Sequence, residues 1–267
     1  MKNAINMWSF PKDWSVEEIF SEAKNAGFDG VEMAIGEEGH LNLYSTLEDM
    51  SKIQEIANKY DMGIPSIASG FGWKYSLVDN DETVRDKAKY CIKKQIVAAA
   101  FFGCDTILVV PGKVTPQVQY DIAYKRTVDA LCELEPFARE KGVCIGVENV
   151  WNDFLLSPLE MRGLIDEINS PYVGAFFDVG NVIYNGYAQH WIRILGSRIK
   201  KIHIKDFNRE AHAFVGLLDG DVDYPEVMKA IREIGYDGYL IAEVGLSKGN
   251  PKTGLKNVAS CIEAILK

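Results

Sequence analysis

Four apolar runs in the second half of the chain break off at a residue able to hold a cation. VCIGVEN closes on Glu148, YVGAFFDVGN on Asp178, IKKIHIKD carries His203, and GYLIAEVG carries Glu243. An apolar run without polar alternation reads as a strand buried on both faces, as in a parallel sheet, where the carboxyl ends of strands carry the chemistry. One acid at a strand end can simply close the strand. Two glutamates, one aspartate and one histidine on four successive ends form a divalent metal site. Hard oxygens with one borderline nitrogen, and no thiolate, suit a single Mn, Co or Mg ion, with Zn compatible. Adjacent parallel strands lie about 4.8 Å apart, so their ends can converge on one ion.

Positioning such a set requires strands in regular succession. Short apolar runs alternate with longer amphipathic segments eight times along the 267 residues, at roughly 33 residues per unit, the length of a strand, a helix and two loops. Strands are predicted at Ala4 to Trp8, GVEMAI, Ile64 to Ser69, DTILVV, Val143 to Glu148, from Tyr172, at Ile199 to Lys205 and at Tyr239 to Val244. Helix signals separate them. Ser15 with Glu18 forms a capping box and Gly27 a stop; Ser157, Pro158 and Glu160 supply an N-cap, an N1 proline and an N3 acid. Pro136 is expected to kink or interrupt a helix from about Pro116 to Lys141, and the loop GFGWKYSLVDND reads as a lid. No linker or composition shift divides the chain, and right-handed crossovers predict one (β/α)8 TIM barrel domain over residues 1–267.

Composition removes several classes of function. A net charge of -9 argues against nucleic acid, which requires an electropositive face. No apolar run approaches the roughly 20 residues of a membrane span, and MKNAINMWSF lacks the charge and apolar core of a signal peptide, so no membrane association and a cytoplasmic address are expected. Five cysteines without a CxxC pair read as reduced core thiols.

The chain resembles the sugar phosphate isomerase/epimerase family with the xylose isomerase-like barrel, relatives of the ketose 3-epimerases. The resemblance covers nearly all of it and rests on GFDGVEM, VENVWNDFLLSPLEM, FFDVGNV, IKKIHIKDFNR, GDVDYPEVMKAIREIGYDGYL and AEVG. It implies one divalent cation on Glu148, Asp178, His203 and Glu243, with Glu148 and Glu243 as the acid/base pair. It also implies proton transfer beside a ketose carbonyl through a metal-stabilised enediolate, a sugar or sugar phosphate as substrate, and the homo-oligomers common among relatives. Arg209 lies six residues after His203, where ketose 3-epimerases carry an arginine near substrate oxygens. Those enzymes also carry a histidine three residues after the metal aspartate and a glutamate six after the first metal glutamate; Asn181 and Phe154 stand there instead. That departure bears on which hydroxyl groups are recognised. Competing readings are an inosose dehydratase-like lyase on the same metal set, an endonuclease IV-like phosphodiesterase, and a non-catalytic sugar-binding barrel. The phosphodiesterase needs more site histidines than a chain of four offers readily.

Other side chains are candidates on type and position. Trp8, Phe71, Trp73, Trp151 and Phe207 lie near the expected mouth and could stack on a sugar ring, or pack in the core. Glu32 is a hydroxyl partner or a surface ion pair, and Asn149 and Asn152 are substrate or supporting groups. His40, His190 and His212 are expected at the surface. Lys200, Lys201, Lys205 and Arg209 form the one basic cluster, a natural partner for phosphate, although alternating strand residues point oppositely.

Overall fold

The computed structural model describes residues 1–246 and 249–267. Eight parallel strands close on themselves: β1 (Lys2–Asn6), β2 (Gly30–Ile35), β3 (Ile67–Ser69), β4 (Thr106–Val109), β5 (Cys144–Glu148), β6 (Val173–Asp178), β7 (Ile199–Ile204) and β10 (Tyr239–Ala242). Between the last two, β8 (Asp206–Asn208) and β9 (Ala213–Val215) form an antiparallel hairpin outside the barrel. β1 pairs with both β2 and β10, which leaves the barrel no free edge. Around it lie α1 (Val16–Ala26), α2 (Leu47–Lys59), the single turn α3 (Phe71–Lys74), α4 (Glu82–Phe102), α5 (Tyr120–Lys141), α6 (Pro158–Ile168), α7 (Ala188–Leu195), α8 (Tyr224–Glu233) and α9 (Pro251–Leu266). The architecture is a (β/α)8 TIM barrel.

Helix starts and stops obey the local signals. The Ser15 and Glu18 capping bonds are both made, Thr46 and Asp49 repeat the arrangement at α2, and Gly27 ends α1 with φ of 102°. β3 begins three residues later than expected, at Ile67, and β10 ends two residues earlier, at Ala242; three further segments depart for identifiable reasons. β1 ends at Asn6, because Asn6 Oδ1 accepts the Trp8 amide at 2.7 Å and turns residues 7–9 into a 3-10 helix. α5 begins at Tyr120 and passes through Pro136 without a break; Pro136 and Cys132 are both exposed, so the carbonyl that loses its helical partner faces water. The segment expected as a lid is anchored instead. Phe71, Leu77 and Val78 are buried, and the Leu77 amide donates to Pro111 O at 2.8 Å.

The main core lies between barrel and helices, with Phe20, Phe28, Ile53, Ile96, Leu131, Leu164, Ile192, Ile231 and Ile262 all buried. A smaller cluster fills the barrel itself: Ala4, Ala34, Ala68, Leu108, Val110, Phe176 and Ile241. Phe176 claims the space that Gly146 leaves, since a Cβ on Gly146 would stand 3.0 Å from Phe176 Cβ. In a parallel ladder register partners share a face. Asp178 pairs with His203, Asn6 with Glu32, and Ile241 with His203. One inward layer is therefore polar near the carboxyl ends, above an apolar plug. Among the described residues no helix is long and apolar enough to cross a membrane. The five thiols are unpaired; Cys91, Cys104 and Cys144 are buried as expected, whereas Cys132 is exposed on the outer side of α5.

Candidate metal centre

The strand ends deliver the four expected side chains to one point. Glu148 ends β5, Asp178 ends β6, His203 is the fifth residue of β7, and Glu243 follows β10. One donor atom from each lies within 4.8 Å of all the others. Donors on opposite sides of an ion with ~2.1 Å bonds lie about 4.2 Å apart, so the set need close by only tenths of an ångström. A second observation agrees. Among the described residues four buried side-chain atoms lack a hydrogen-bond partner, and three of them are Asp178 Oδ2, His203 Nδ1 and Glu243 Oε2. Lys205 Nζ meets the two carboxylate oxygens by charge, and a divalent cation is what three oxygen ligands and one imidazole select.

His203 and Asp178 are held from behind. Glu32 is fully buried, and its Oε2 receives His203 Nε2 at 2.7 Å and Asn6 Nδ2 at 2.5 Å, while Oε1 receives Ser66 Oγ at 2.6 Å. This fixes the imidazole with its Nε2 proton toward Glu32 and leaves Nδ1 facing the acids. Asn149 clamps β5 to β6: its Nδ2 donates to Asp178 O and its Oδ1 accepts the Asp178 amide, both at 2.8 Å. Asp178 Oδ1 accepts the Asn181 amide at 2.7 Å, leaving Oδ2 for the centre.

Charge in this small volume splits the acids. Burial, reinforced by the neighbouring Glu243 carboxylate, pushes the Glu148 carboxyl up to about 8. Asp178 is also raised, by burial first. Burial would raise Glu243 as well, but contacts with His203 and Lys205 outweigh it and bring it down to about 2. His203 is raised well above its usual value: burial opposes its charge, and Glu32 and then Glu243 overcome that opposition.

The remaining candidates are distributed differently from the expectation. Glu32 is neither a surface ion pair nor open to a substrate, since both its oxygens are consumed inside the barrel. Asn181 is buried, donating from Nδ2 to Asn149 O at 2.9 Å and reaching Glu148 Oε1 only at 3.5 Å. Arg209 turns away from the acids: Nε donates to Ile183 O at 2.9 Å, Nη2 to Gly186 O at 2.7 Å, and the guanidinium covers Tyr187. Trp8 is half-exposed between two cavities. One, about 500 Å³, is lined by Ser9, Lys205, Phe214, Gly216 and Glu243; the other, about 820 Å³, by Met7, Phe10, Ala34, Ile35 and Gly70. Trp151, also half-exposed, donates its indole N–H to Asn181 O at 2.8 Å and stacks on Phe214 at 4.9 Å. Trp73 is exposed, whereas Phe71 and Phe207 are core, and Asn152 donates to Gly112 O at 2.7 Å.

The basic cluster does not form a patch. Lys201 pairs with Asp105 at 2.6 Å toward the amino end of the barrel, Lys200 approaches Ser197 O, and Arg209 holds the 183–187 loop. Only Lys205 reaches the acids, 2.6 Å from Glu243 Oε2 and 3.1 Å from Asp178 Oδ2. Sequence reasoning missed that placement, although Lys205 is two residues from His203 and period-two alternation puts both on one face. His40, His190 and His212 are exposed, so His203 is the only histidine of the centre among the described residues, and a cluster built on several histidines is not formed.

Comparison with known proteins agrees with this geometry. A family model described as a xylose isomerase-like TIM barrel matches residues 20–265. The chain is 23% identical to a fructoselysine 3-epimerase of Shigella flexneri over 248 residues, covering 86% of this chain and 85% of that protein. It is 25% identical to an inosose dehydratase of Clostridium perfringens over 138 residues, spanning about half of each, 45% and 46%. The structure of D-psicose 3-epimerase with D-tagatose from Clostridium cellulolyticum H10 superposes with a TM-score of 0.82 at 16% identity, covering 100% of both chains.

Proposed function

From the premise that this chain belongs to the xylose isomerase-like TIM barrel family, we propose that it is a divalent-metal-dependent epimerase of a sugar or sugar phosphate, exchanging a proton at the carbon beside a ketose carbonyl as a 3-epimerase does. The observation that carries this reading is the convergence of one donor atom from each of Glu148, Asp178, His203 and Glu243 on one buried point. Glu148, Asp178, His203 and Glu243 would hold the ion. When bound, the ion supplies the positive charge that an enediolate requires beside it.

The chain's own residues supply the proton chemistry. Glu243, which the positive charge beside it holds ionised, is the base that removes the proton from carbon. Glu148, the second carboxyl of the pair, returns a proton on the other face, each general acid–base contribution being roughly 100- to 10,000-fold. Trp8 and Trp151 offer half-exposed ring faces to the substrate, and Asn181 sets the Glu148 side of the pocket.

A lyase reading starts from the same proton abstraction and ends in loss of water; similarity to inosose dehydratase over half the chain supports it. One experiment separates the two. Mn-loaded protein is incubated in D2O with free and phosphorylated ketoses and an inosose, and followed by NMR. Deuterium at C3 with inversion is expected. Exchange only at C1 with aldose formation, or water loss from the inosose alone, refutes the 3-epimerase assignment.

A further inference from the structure

The Lys205 ammonium stands where the proposed reaction most needs an account of charge. It is 2.6 Å from Glu243 Oε2 and 3.1 Å from Asp178 Oδ2, two of the three atoms left without a directed hydrogen bond. The lysine pairs with these oxygens and neutralises their charge. An ion ligated by the same two oxygens at ~2.1 Å and an ammonium at its present distance would be two cations within a few ångströms, in a pocket that screens charge poorly. The two cations compete for those atoms.

The surroundings define where the ammonium goes instead. A Cβ on Gly180 would lie 2.3 Å from Lys205 Cγ, so the lysine stem runs directly over the Gly180 backbone. The Phe214 ring lies against the ammonium, its centroid 5.1 Å from Nζ. With the stem against Gly180, the end of the chain borders the cavity of about 500 Å³ lined also by Trp8, Ser9, Phe214, Gly216 and Glu243, and that cavity gives it room to turn. That cavity is open beside the base Glu243, and Glu243 and Ser9 are the side chains of its lining that offer a cation an oxygen.

Building on the metal-dependent reading above, we propose that Lys205 is a catalytic residue with two stations: it pairs with Asp178 and Glu243 when they hold no ion, and it turns onto the substrate's oxygens when an ion takes those carboxylates. In the second station it is a charge-assisted donor to the oxygen on which negative charge develops, a role that needs no proton transfer from the lysine. A lysine that only braced the site would act differently, because its loss would loosen the ligands and weaken metal binding.

The test uses the full chain, with Lys205→Met and Lys205→Gln beside wild type. Mn2+ affinity is measured by electron paramagnetic resonance of the free ion, with thermal unfolding in EDTA as a check on folding. Removing the competing cation is expected to tighten Mn2+ binding at least ~10-fold in both variants, while turnover falls ~10- to 100-fold, the value of one hydrogen bond to a charged group. Wild type that takes up Mn2+ while both variants bind it equally or more weakly overturns this proposal and leaves the metal-dependent reading standing. No Mn2+ uptake by wild type overturns both.

Discussion

Replacing Glu32 with glutamine removes one charge from behind His203 and almost nothing else. Glu32 Oε2 accepts from His203 Nε2 and Asn6 Nδ2, and Oε1 accepts from Ser66 Oγ. A glutamine amide has one oxygen, and it must face His203 and Asn6, because an NH2 there would meet two donors. Its NH2 then faces Ser66, whose hydroxyl can rotate to accept. The network survives and the charge does not. A hydrogen bond to a charged group contributes about 1.5–3 kcal/mol against about 0.5–1.5 for a neutral one, so the imidazole loses about 1–1.5 kcal/mol of orienting interaction. That corresponds to about 10-fold in metal affinity, the lower end of the ~10- to 100-fold expected of groups supporting a ligand. Mn2+ titration should show this for Glu32→Gln with little change in Tm in EDTA. Glu32→Ala strands His203, Asn6 and Ser66 and leaves a void, and should also cost about 3 kcal/mol or more of stability. If Glu32→Gln binds Mn2+ as tightly as wild type, the buried pair does not orient His203 and the reasoning fails.

The metal-free protein should lose stability as pH rises. Glu148 ionises near its usual 4.5 in the unfolded chain and at about 8 in the fold, so its contribution is complete below about pH 4.5 and disappears as pH rises through 8, a change of about 5 kcal/mol at most. Urea unfolding in EDTA at pH 5, 6.5 and 8 should show that slope in wild type and a flatter one in Glu148→Gln; parallel slopes would refute it. Arg209→Met should cost about 1–2 kcal/mol by releasing the Ile183 and Gly186 carbonyls, with kcat within ~3-fold of wild type. A 100-fold fall in kcat at unchanged Tm would instead place the guanidinium on the substrate.

The barrel was readable because each βα unit announces itself locally. Buried parallel strands leave apolar runs, helices carry caps such as Ser15 with Glu18, and stops such as Gly27 require a left-handed backbone. The four ligands were readable for the same reason, each ending its own run. Boundaries failed where a side chain intervened, as when Asn6 bent the chain after β1. The lid reading failed because the burial of Phe71 and Leu77 depends on surfaces contributed by β4 and the segment after it.

Sequence by itself determined residue types, their order on successive strands and therefore the donor set of the centre. Tertiary structure decided what stands behind and beside it. Glu32 is 171 positions from His203, and nothing in either segment signals that barrel closure through β1 brings them within 2.7 Å. Lys200, Lys201, Lys205 and Arg209 are near neighbours in the chain and belong to four different environments. Strand alternation, the level of each residue along the barrel axis and the β8–β9 hairpin separate them. Charge adds over space, whereas a sequence records only adjacency along the chain.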